Sequence, residues 1–488
     1  MAVGALVAMV VGLGVWLYAR ADISNAGDLS FRNPLRIPEL DRGERGDDGV
    51  VRFDLEVRAG ETSILPGGPT ATWGVNGTHL GPTLRASRGD DVEIALTNGV
   101  GETTSMHWHG MHLPARMDGG PHQPVEPGAT WRPSWTVDQP AATLWYHPHP
   151  HGETAEHVYR GVAGMFIVDD PEAADLDLPD DYGVDDIPVI IQDRSFDGDN
   201  QLDDGDRFLT NVGVLGDEIL VNGTHDPHLD VRTERVRLRL LNGSNARSYD
   251  LGFVDGRTFQ VIGTDGGLLS APVEVDRVPL SPGERAEVVV TMDPGEQAVL
   301  RSYPRGGGNG FTDRFNGRDD TFDILQLRAS DELVPSAEVP RELVPVERID
   351  PSDAVETSHF RLSGTQINGR DMDMRRVDAT VTAGTTEIWE VENADGQAHP
   401  FHVHDVQFQL LDIDGAAPPA ILRGWKDTVE IRGGDTVRLV VRFGSHSDPD
   451  TPYMFHCHIL RHEDNGMMGQ FVVVEPGQTA GVIDHAGH

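Results

Sequence analysis

Three Asn-Gly steps constrain this chain more than any other feature. Val75-Asn76-Gly77, Val221-Asn222-Gly223 and Ile367-Asn368-Gly369 recur at intervals of 146 residues. Equal spacing implies three homologous units laid end to end, a count that a length of 488 residues accommodates. After each copy runs an alternating segment, Val92 to Leu96, Val236 to Leu240 and Glu387 to Val391, with apolar residues on one face as in a strand. Each ends near an asparagine: Asn98, Asn242 and Asn393. Pro127-Gly128, Pro282-Gly283 and Gly433-Gly434 then turn into further strands, of which Thr436 to Phe443 is the plainest. With Gly 56 and Pro 32 supplying turns, the pattern predicts an all-β chain of three consecutive Greek-key β-sandwich domains with few, short helices. The domains are expected over 45–172, 185–330 and 352–476. Acidic, proline-bearing stretches, Asp169 to Pro188 and Ser330 to Pro351, read as surface linkers between them. Asn-Gly-Thr at Asn76 and Asn222 matches a glycosylation acceptor, but a tight turn is the expected use.

The formal charge of -40, from 79 acidic against 39 basic side chains, argues against a nucleic-acid partner. Lys426 is the only lysine. An acidic surface attracts cations and resists aggregation, while the arginine-for-lysine bias reads equally well as a habit of genome composition. Ala2 to Tyr18 carries no charge and leads into Ala19-Arg20-Ala21, so residues 1–21 are expected to be a signal peptide or an N-terminal membrane anchor. Either places the body outside the cytoplasm. The single cysteine, Cys457, permits no intrachain disulfide and must be apolar filler or a reactive or metal-bound thiolate.

The histidines decide between those. Among 21 histidines roughly one His-x-His is expected by chance, and the chain has five. Four matter: His107-Trp108-His109, His147-Pro148-His149, His402-Val403-His404 and His456-Cys457-His458. His107 stands nine residues after Asn98 and His402 nine residues after Asn393, so the two pairs share one repeat position. In the middle unit that position reads Leu251-Gly252-Phe253. The middle unit has thus lost the ligands and kept the fold. Units one and three are expected to build a shared site, with the middle unit as a spacer or the wall of an access path.

On a strand, residues i and i+2 share a face, so His456 and His458 point to one site and Cys457 to another. A His2Cys set with a weak axial Met is the blue-copper electron-transfer arrangement, and His399, Cys457, His462 and Met467 supply it. Zinc is the competing metal for histidine-rich sites, and would support hydrolysis. A cysteine flanked by histidines, with His462 and Met467 following, is not explained by zinc. Electrons entering at the cysteine sulfur would need only a few covalent bonds to reach metals held by His456 and His458.

His107-Trp108-His109-Gly110, Trp145-Tyr146-His147-Pro148-His149, His399-Pro400-Phe401-His402-Val403-His404 and His456-Cys457-His458-Ile459-Leu460-Arg461-His462, continuing to Met467, closely resemble the four signatures of the multicopper oxidase family. The likeness is to three-domain laccases and bacterial cuprous oxidases, and covers nearly the whole chain after about Leu40. It implies cupredoxin-like domains and four copper ions. Type 1 copper would be held by His399, Cys457, His462 and axial Met467, and type 2 by His107 and His402. One type 3 ion would take His109, His147 and His458, the other His149, His404 and His456. The implied reaction is four one-electron oxidations of a donor at type 1 and reduction of O2 to two waters at the trinuclear cluster. Asp118 and Glu463 match the family's acids near the cluster and are assigned proton delivery. Asp395 matches an acid that orients the type 1 histidine.

The axial Met should moderate the type 1 potential, favouring easily oxidised donors. Cuprous oxidases insert a methionine-rich segment before the third Asn-Gly, but here only Gly364, Thr365 and Gln366 separate Ser363 from Ile367, and Gln397 replaces a methionine near type 1. Phenols and aromatic amines are therefore the expected donors, although Met372 and Met374 remain nearby. The alternative is a metallo-oxidase acting on Cu(I), Fe(II) or Mn(II), drawn by the acidic surface. A copper or electron-transfer protein without oxygen chemistry would need only the type 1 set, and the eight further histidines argue against it. A monomer is expected, and His485 and His488 in the tail read as exposed residues.

Overall fold

The computed structural model describes residues 12, 14, 15, 17, 18, 21–205, 207, 210–306 and 314–483. Its strands form six sheets that pair into three cupredoxin-like sandwiches. In the first, a six-stranded sheet holding Val51–Thr62 and Asp91–Asn98 packs on a five-stranded sheet holding His107–His109, Ala142–His147 and Gly164–Asp169. The middle sandwich joins a six-stranded sheet with Pro227–Thr233 and Phe322–Val334 to a seven-stranded sheet with Asp186–Arg194, Arg235–Asn242 and Arg285–Thr291. The third packs Ala354–Ser363, Thr386–Asn393 and Thr436–Arg442 against His399–Val403, Asp448–Cys457 and Met468–Val474.

Period-two alternation builds each core. Val51, Phe53, Leu55 and Val57 turn inward while Asp54 and Glu56 face water. Burying each such large apolar side chain stabilises the fold by about 1.5–3 kcal/mol. The threefold repeat is also visible in the pairing. Val51–Val57 lies parallel to Val92–Asn98, Asp186–Ile191 to Arg237–Asn242, and Phe360–Leu362 to Val391–Asn393.

The repeated asparagines do repeated work. Asn76, Asn222 and Asn368 all sit at positive φ, and each Oδ1 accepts a backbone N–H from Glu56, Ile190 or Arg361 at 2.8 Å. They are turn residues with side chains tied to the backbone. Asn98, Asn242 and Asn393 are buried at their strand ends, where each amide donates to two carbonyls that hold the following loop: Glu102 and Val125, Arg247 and Leu280, Gln397 and Ile431. That common anchor makes the loop after it, and hence the His-x-His nine residues on, a fixed position of the repeat.

The start of the chain crosses between units: Asn33–Pro34 pairs with Pro227–His228 in the middle sheet, and Leu40–Asp41 with Thr83–Leu84 in the first. The second linker is more than a surface tether, because Ser330 to Val334 continue the strand Phe322–Val334 and Val339 and Leu343 pack into the middle core. Beyond residue 21 the described α-helices are short, Thr154–Arg160, Pro171–Ala174 and Leu460–Asp464. Among the described residues no helix is long and apolar enough to cross a membrane. Most of the segment expected to be a signal or anchor, and His485 and His488, lie outside the described residues.

Candidate metal centre

Two antiparallel strand pairs bring the histidines together. In the first sandwich His107 lies opposite His147, and in the third His402 lies opposite His456, with Phe401 opposite Cys457. The alternation of each strand then sends His107, His109, His402, His404, His456 and His458 into the gap between sandwiches one and three, where His147 and His149 join them. All eight are at most 1% exposed. Three groups place one ligand atom from each residue within 4.8 Å of the others: His107, His109 and His402; His109, His147 and His458; His149, His404 and His456.

Hydrogen bonding on the outer side sets which nitrogen faces inward. Nδ1 of His107 meets the Asp118 carbonyl at 3.1 Å, that of His147 the Pro148 carbonyl at 2.8 Å, and that of His402 the Asp427 carbonyl at 2.9 Å. His404 Nδ1 reaches the Asp118 carboxylate at 2.8 Å and His456 Nδ1 the Cys457 carbonyl at 3.1 Å. A neutral imidazole has one N–H and one lone pair, so donating outward leaves the Nε2 lone pair pointing in. His109 is reversed: its Nε2 lies 3.1 Å from Asp427 Oδ1, and its Nδ1 faces His147 Nε2.

Inside, ring nitrogens approach one another closely. Nε2 atoms of His402 and His107 are 3.4 Å apart, those of His149 and His456 3.3 Å, and those of His404 and His456 3.2 Å. Among the described residues His458 has no hydrogen-bond partner on either buried nitrogen. Burial, reinforced by neighbouring rings, pushes His109, His147, His402, His404 and His458 well below the ordinary histidine value. They are therefore neutral at neutral pH. Buried lone pairs directed at one another are unfavourable unless a cation lies between them, so the residues present fit metal ions.

The second group, His399, Cys457 and His462, forms on the other face of the same strand end. Cys457 Sγ is 3.4 Å from His399 Nδ1 and 3.8 Å from His462 Nδ1. Met467 is fully buried in the apolar cluster that contains Cys457, and its carbonyl accepts the Cys457 N–H at 3.1 Å. Burial pushes the Cys457 thiol far above its ordinary value, so a thiolate here requires a cation at the sulfur. His462 is lowered to about 4, chiefly by burial, with its Nε2 3.0 Å from the Asn211 carbonyl of the middle sandwich.

The three expected acids fall beside these groups without entering them as ligands of the histidine sets named above, although Asp118 lies close enough to His107 and His404 to form a further cluster. Glu463 lies between His149 and His456, 3.3 Å and 3.2 Å from their Nδ1 atoms. Burial acts to raise its pKa, but the two rings outweigh that and hold the carboxyl at about 2. Asp395 is 3.2 Å from His399 Nε2. Gln397, expected near this site, places its Nε2 3.3 Å from His462 Nε2.

Asp427, Thr428, Arg285 and Asn211 were not legible as site residues. Asp427 is one acid among 79, and its partners come from three separate sandwiches. One signal was available: the only lysine, Lys426, is buried between Asp265 and Glu284 at 2.8 and 2.9 Å, marking an interface between the middle and third sandwiches. A solitary charged residue of its kind, next to Asp427, pointed at that seam.

Comparison with known proteins places the architecture. Descriptions reading multicopper oxidase match residues 56–173, 195–304 and 345–477. The chain is 35% identical to "Multicopper oxidase mco" of Staphylococcus haemolyticus over 91% of this chain and 93% of that one. It is 37% identical to "Cell division protein FtsP" of Escherichia coli, covering 94% and 97%. The crystal structure of a laccase from Pediococcus acidilactici superposes with a TM-score of 0.81 at 38% identity, covering 91% and 94%. The buried histidine clusters are consistent with the copper sites of such enzymes. Sequence, sheets and clusters converge, and the chain belongs to the multicopper oxidase family.

Proposed function

We propose that the chain is a laccase-like multicopper oxidase that takes single electrons from phenolic or aromatic amine donors at the Cys457 group and delivers four of them to each O2 at the eight-histidine cluster. The observation that carries this reading is His456-Cys457-His458: one strand end feeds two buried metal-binding groups on opposite faces. Copper bound there would supply one-electron acceptors at the Cys457 group and a three-ion centre for O2 in the cluster.

The chain's own residues divide the labour. His399, Cys457, His462 and Met467 hold the electron entry port. His107 and His402 form one seat in the cluster, His109, His147 and His458 a second, and His149, His404 and His456 a third. Asp118 keeps the His404 Nδ1–H directed outward, Glu463 lies 3.3 and 3.2 Å from the Nδ1 atoms of His149 and His456, and both acids stand where protons bound for water can be passed on. Asp395 fixes the His399 ring. Uncharged residues 2–18, followed by Ala19-Arg20-Ala21, support placing the body outside the cytoplasm.

A metal-ion donor is the second reading, favoured by a cleft of about 410 Å³ beside Arg461, the neighbour of His462, whose lining includes Glu156, Asp204 and Asp464. A relative at 37% identity bears the name of a cell division protein, so likeness of fold alone does not assign an activity; the buried histidine groups are what support the oxidase reading. The test is to load the full chain with copper, count the metal, record absorption and spin resonance, and follow O2 uptake with phenols, aromatic amines, Cu(I), Fe(II) and Mn(II). Faster uptake with phenols supports the first reading and faster uptake with metal ions the second. No uptake with any donor from a fully loaded chain overturns both.

A further inference from the structure

None of the residues in the histidine and cysteine groups named above comes from the middle sandwich, yet one of its side chains reaches the cluster. The repeat position two residues after the turn glycine is Thr130 in the first unit and Thr436 in the third, but Arg285 in the middle one. The Arg285 side chain is completely buried, and each of its five N–H donors has an acceptor. Nε donates to the Thr143 carbonyl at 2.9 Å. Nη1 donates to the Gly283 carbonyl at 3.0 Å and Asp427 Oδ1 at 2.7 Å. Nη2 donates to the Asp265 carbonyl at 3.0 Å and Asp427 Oδ2 at 2.6 Å. One guanidinium thus ties the first sandwich, its own, and the third.

Asp427 is where this bears on chemistry. Its Oδ1 accepts from His109 Nε2 at 3.1 Å and from the Thr428 hydroxyl at 2.9 Å, and its carbonyl accepts from His402 Nδ1 at 2.9 Å. His109 turns Nδ1 inward, an orientation that needs an acceptor behind Nε2. The space is reserved by glycines at positive φ. A Cβ on Gly110 would lie 2.5 Å from Asp427 Oδ2 and 2.7 Å from Arg285 Nη2, and one on Gly283 would meet the His458 ring at 2.9 Å.

We propose that Arg285 is a positioning residue for the oxygen-reducing cluster: it locks the Asp427 carboxylate, which holds His109 in its Nδ1-inward orientation, and steadies the backbone carbonyl behind His402. This rests on the oxidase reading above. The middle domain thereby contributes to the geometry of a site for which it supplies no ligand. Lysine cannot replace this arginine, because a point charge with three donors lacks the planar fork that meets both carboxylate oxygens.

The test uses full-length wild type, Arg285→Gln, Arg285→Lys and Asp427→Asn, each copper-loaded and dialysed against graded chelator. Blue absorption reports metal at Cys457, while spin resonance and total copper report the cluster. Their ratio within one molecule separates positioning from general loosening. Arg285→Gln is expected to weaken cluster retention about 10–100-fold relative to the Cys457 group. Arg285→Lys should recover only part of this, and Asp427→Asn, which retains an acceptor for His109, should fall between. An unchanged ratio overturns the proposal, including the case where both sites weaken together or only the unfolding temperature of the metal-free chain drops. Should Arg285→Gln fail to fold, the ratio in Arg285→Lys and Asp427→Asn decides. A wild type that fills the cluster but consumes no O2 overturns the oxidase reading and leaves the ratio to judge Arg285. A wild type that leaves the cluster empty overturns both.

Discussion

The eight-histidine cluster and the Cys457 group are separated by the thickness of one strand, yet they are closed in different ways. The cluster is assembled from two sandwiches, and its rings are backed by the carboxylates of Asp118, Glu463 and Asp427. The Cys457 group comes from the third sandwich alone, with His462 lying just under the surface at 4% exposure against a middle-sandwich carbonyl. Its acid, Asp395, remains partly open to water. A site that must handle O2 is sealed and braced, whereas a site that accepts electrons needs only one ring edge near a donor. The proposed division of chemistry follows from that difference in closure.

The comparison can be broken most sharply at the strand end itself. Cys457→Ser should abolish the blue absorption and drop donor-driven O2 uptake to background, with copper still retained in the cluster. Measuring metal content and uptake together checks this. His402→Ala should have the converse signature: donor still bleaches the blue band, but O2 no longer restores it, as stopped-flow absorption would show. Survival of full O2 uptake in either variant would break the assignment of separate roles.

A smaller effect is expected at Glu463. Glu463→Gln should slow O2 reduction about 10–100-fold while leaving donor oxidation at Cys457 intact, measured as single-turnover rates. In the metal-free chain this carboxyl sits at about 2 against an ordinary 4.5. A depressed carboxylate stabilises the native state above its unfolded value and loses that contribution as pH falls through the folded one. The acid limb of wild-type stability between roughly pH 4.5 and 2 should therefore be steeper than that of Glu463→Gln, as denaturant titrations across that range would reveal.

Removing copper should lower the unfolding temperature, because ions held by both outer sandwiches bind only the native state. At 1,000 times the dissociation constant such binding contributes about 4 kcal/mol, and calorimetry with and without chelator reads it. The smallest effect should come from Asp395→Asn, which keeps an acceptor for His399 at a partly exposed position. A change of a few-fold in donor KM or a modest shift in a redox titration of the blue band is expected, with O2 affinity unchanged.

The histidine pairs were legible because strand geometry is periodic: a His-x-His puts both rings on one face wherever the strand lies, and the repeat asparagines fix where it lies. The same rule separated Cys457 from its neighbours. Arg285, Asp427 and Asn211 follow no such rule. They become neighbours of the site only when sandwiches from distant parts of the chain dock, and Asp427 looks like any other acid until Arg285 and His109 close on it. The second linker illustrates the same limit: its acidic, proline-bearing composition signals a surface path, but Val339 and Leu343 find a core supplied by another segment.

By itself the sequence determined the threefold repeat, the sandwich architecture and the residues able to hold metal, since these depend on local periodicity and on offsets within one repeat. Only the tertiary structure decided which ring nitrogen faces inward, which carboxylates stand behind the rings, and that the ligand-free middle domain reaches the cluster. The orientations of His109 and His404 and the reach of Arg285 depend on hydrogen-bond partners brought together across domain seams, where separation along the chain carries no information about distance in space.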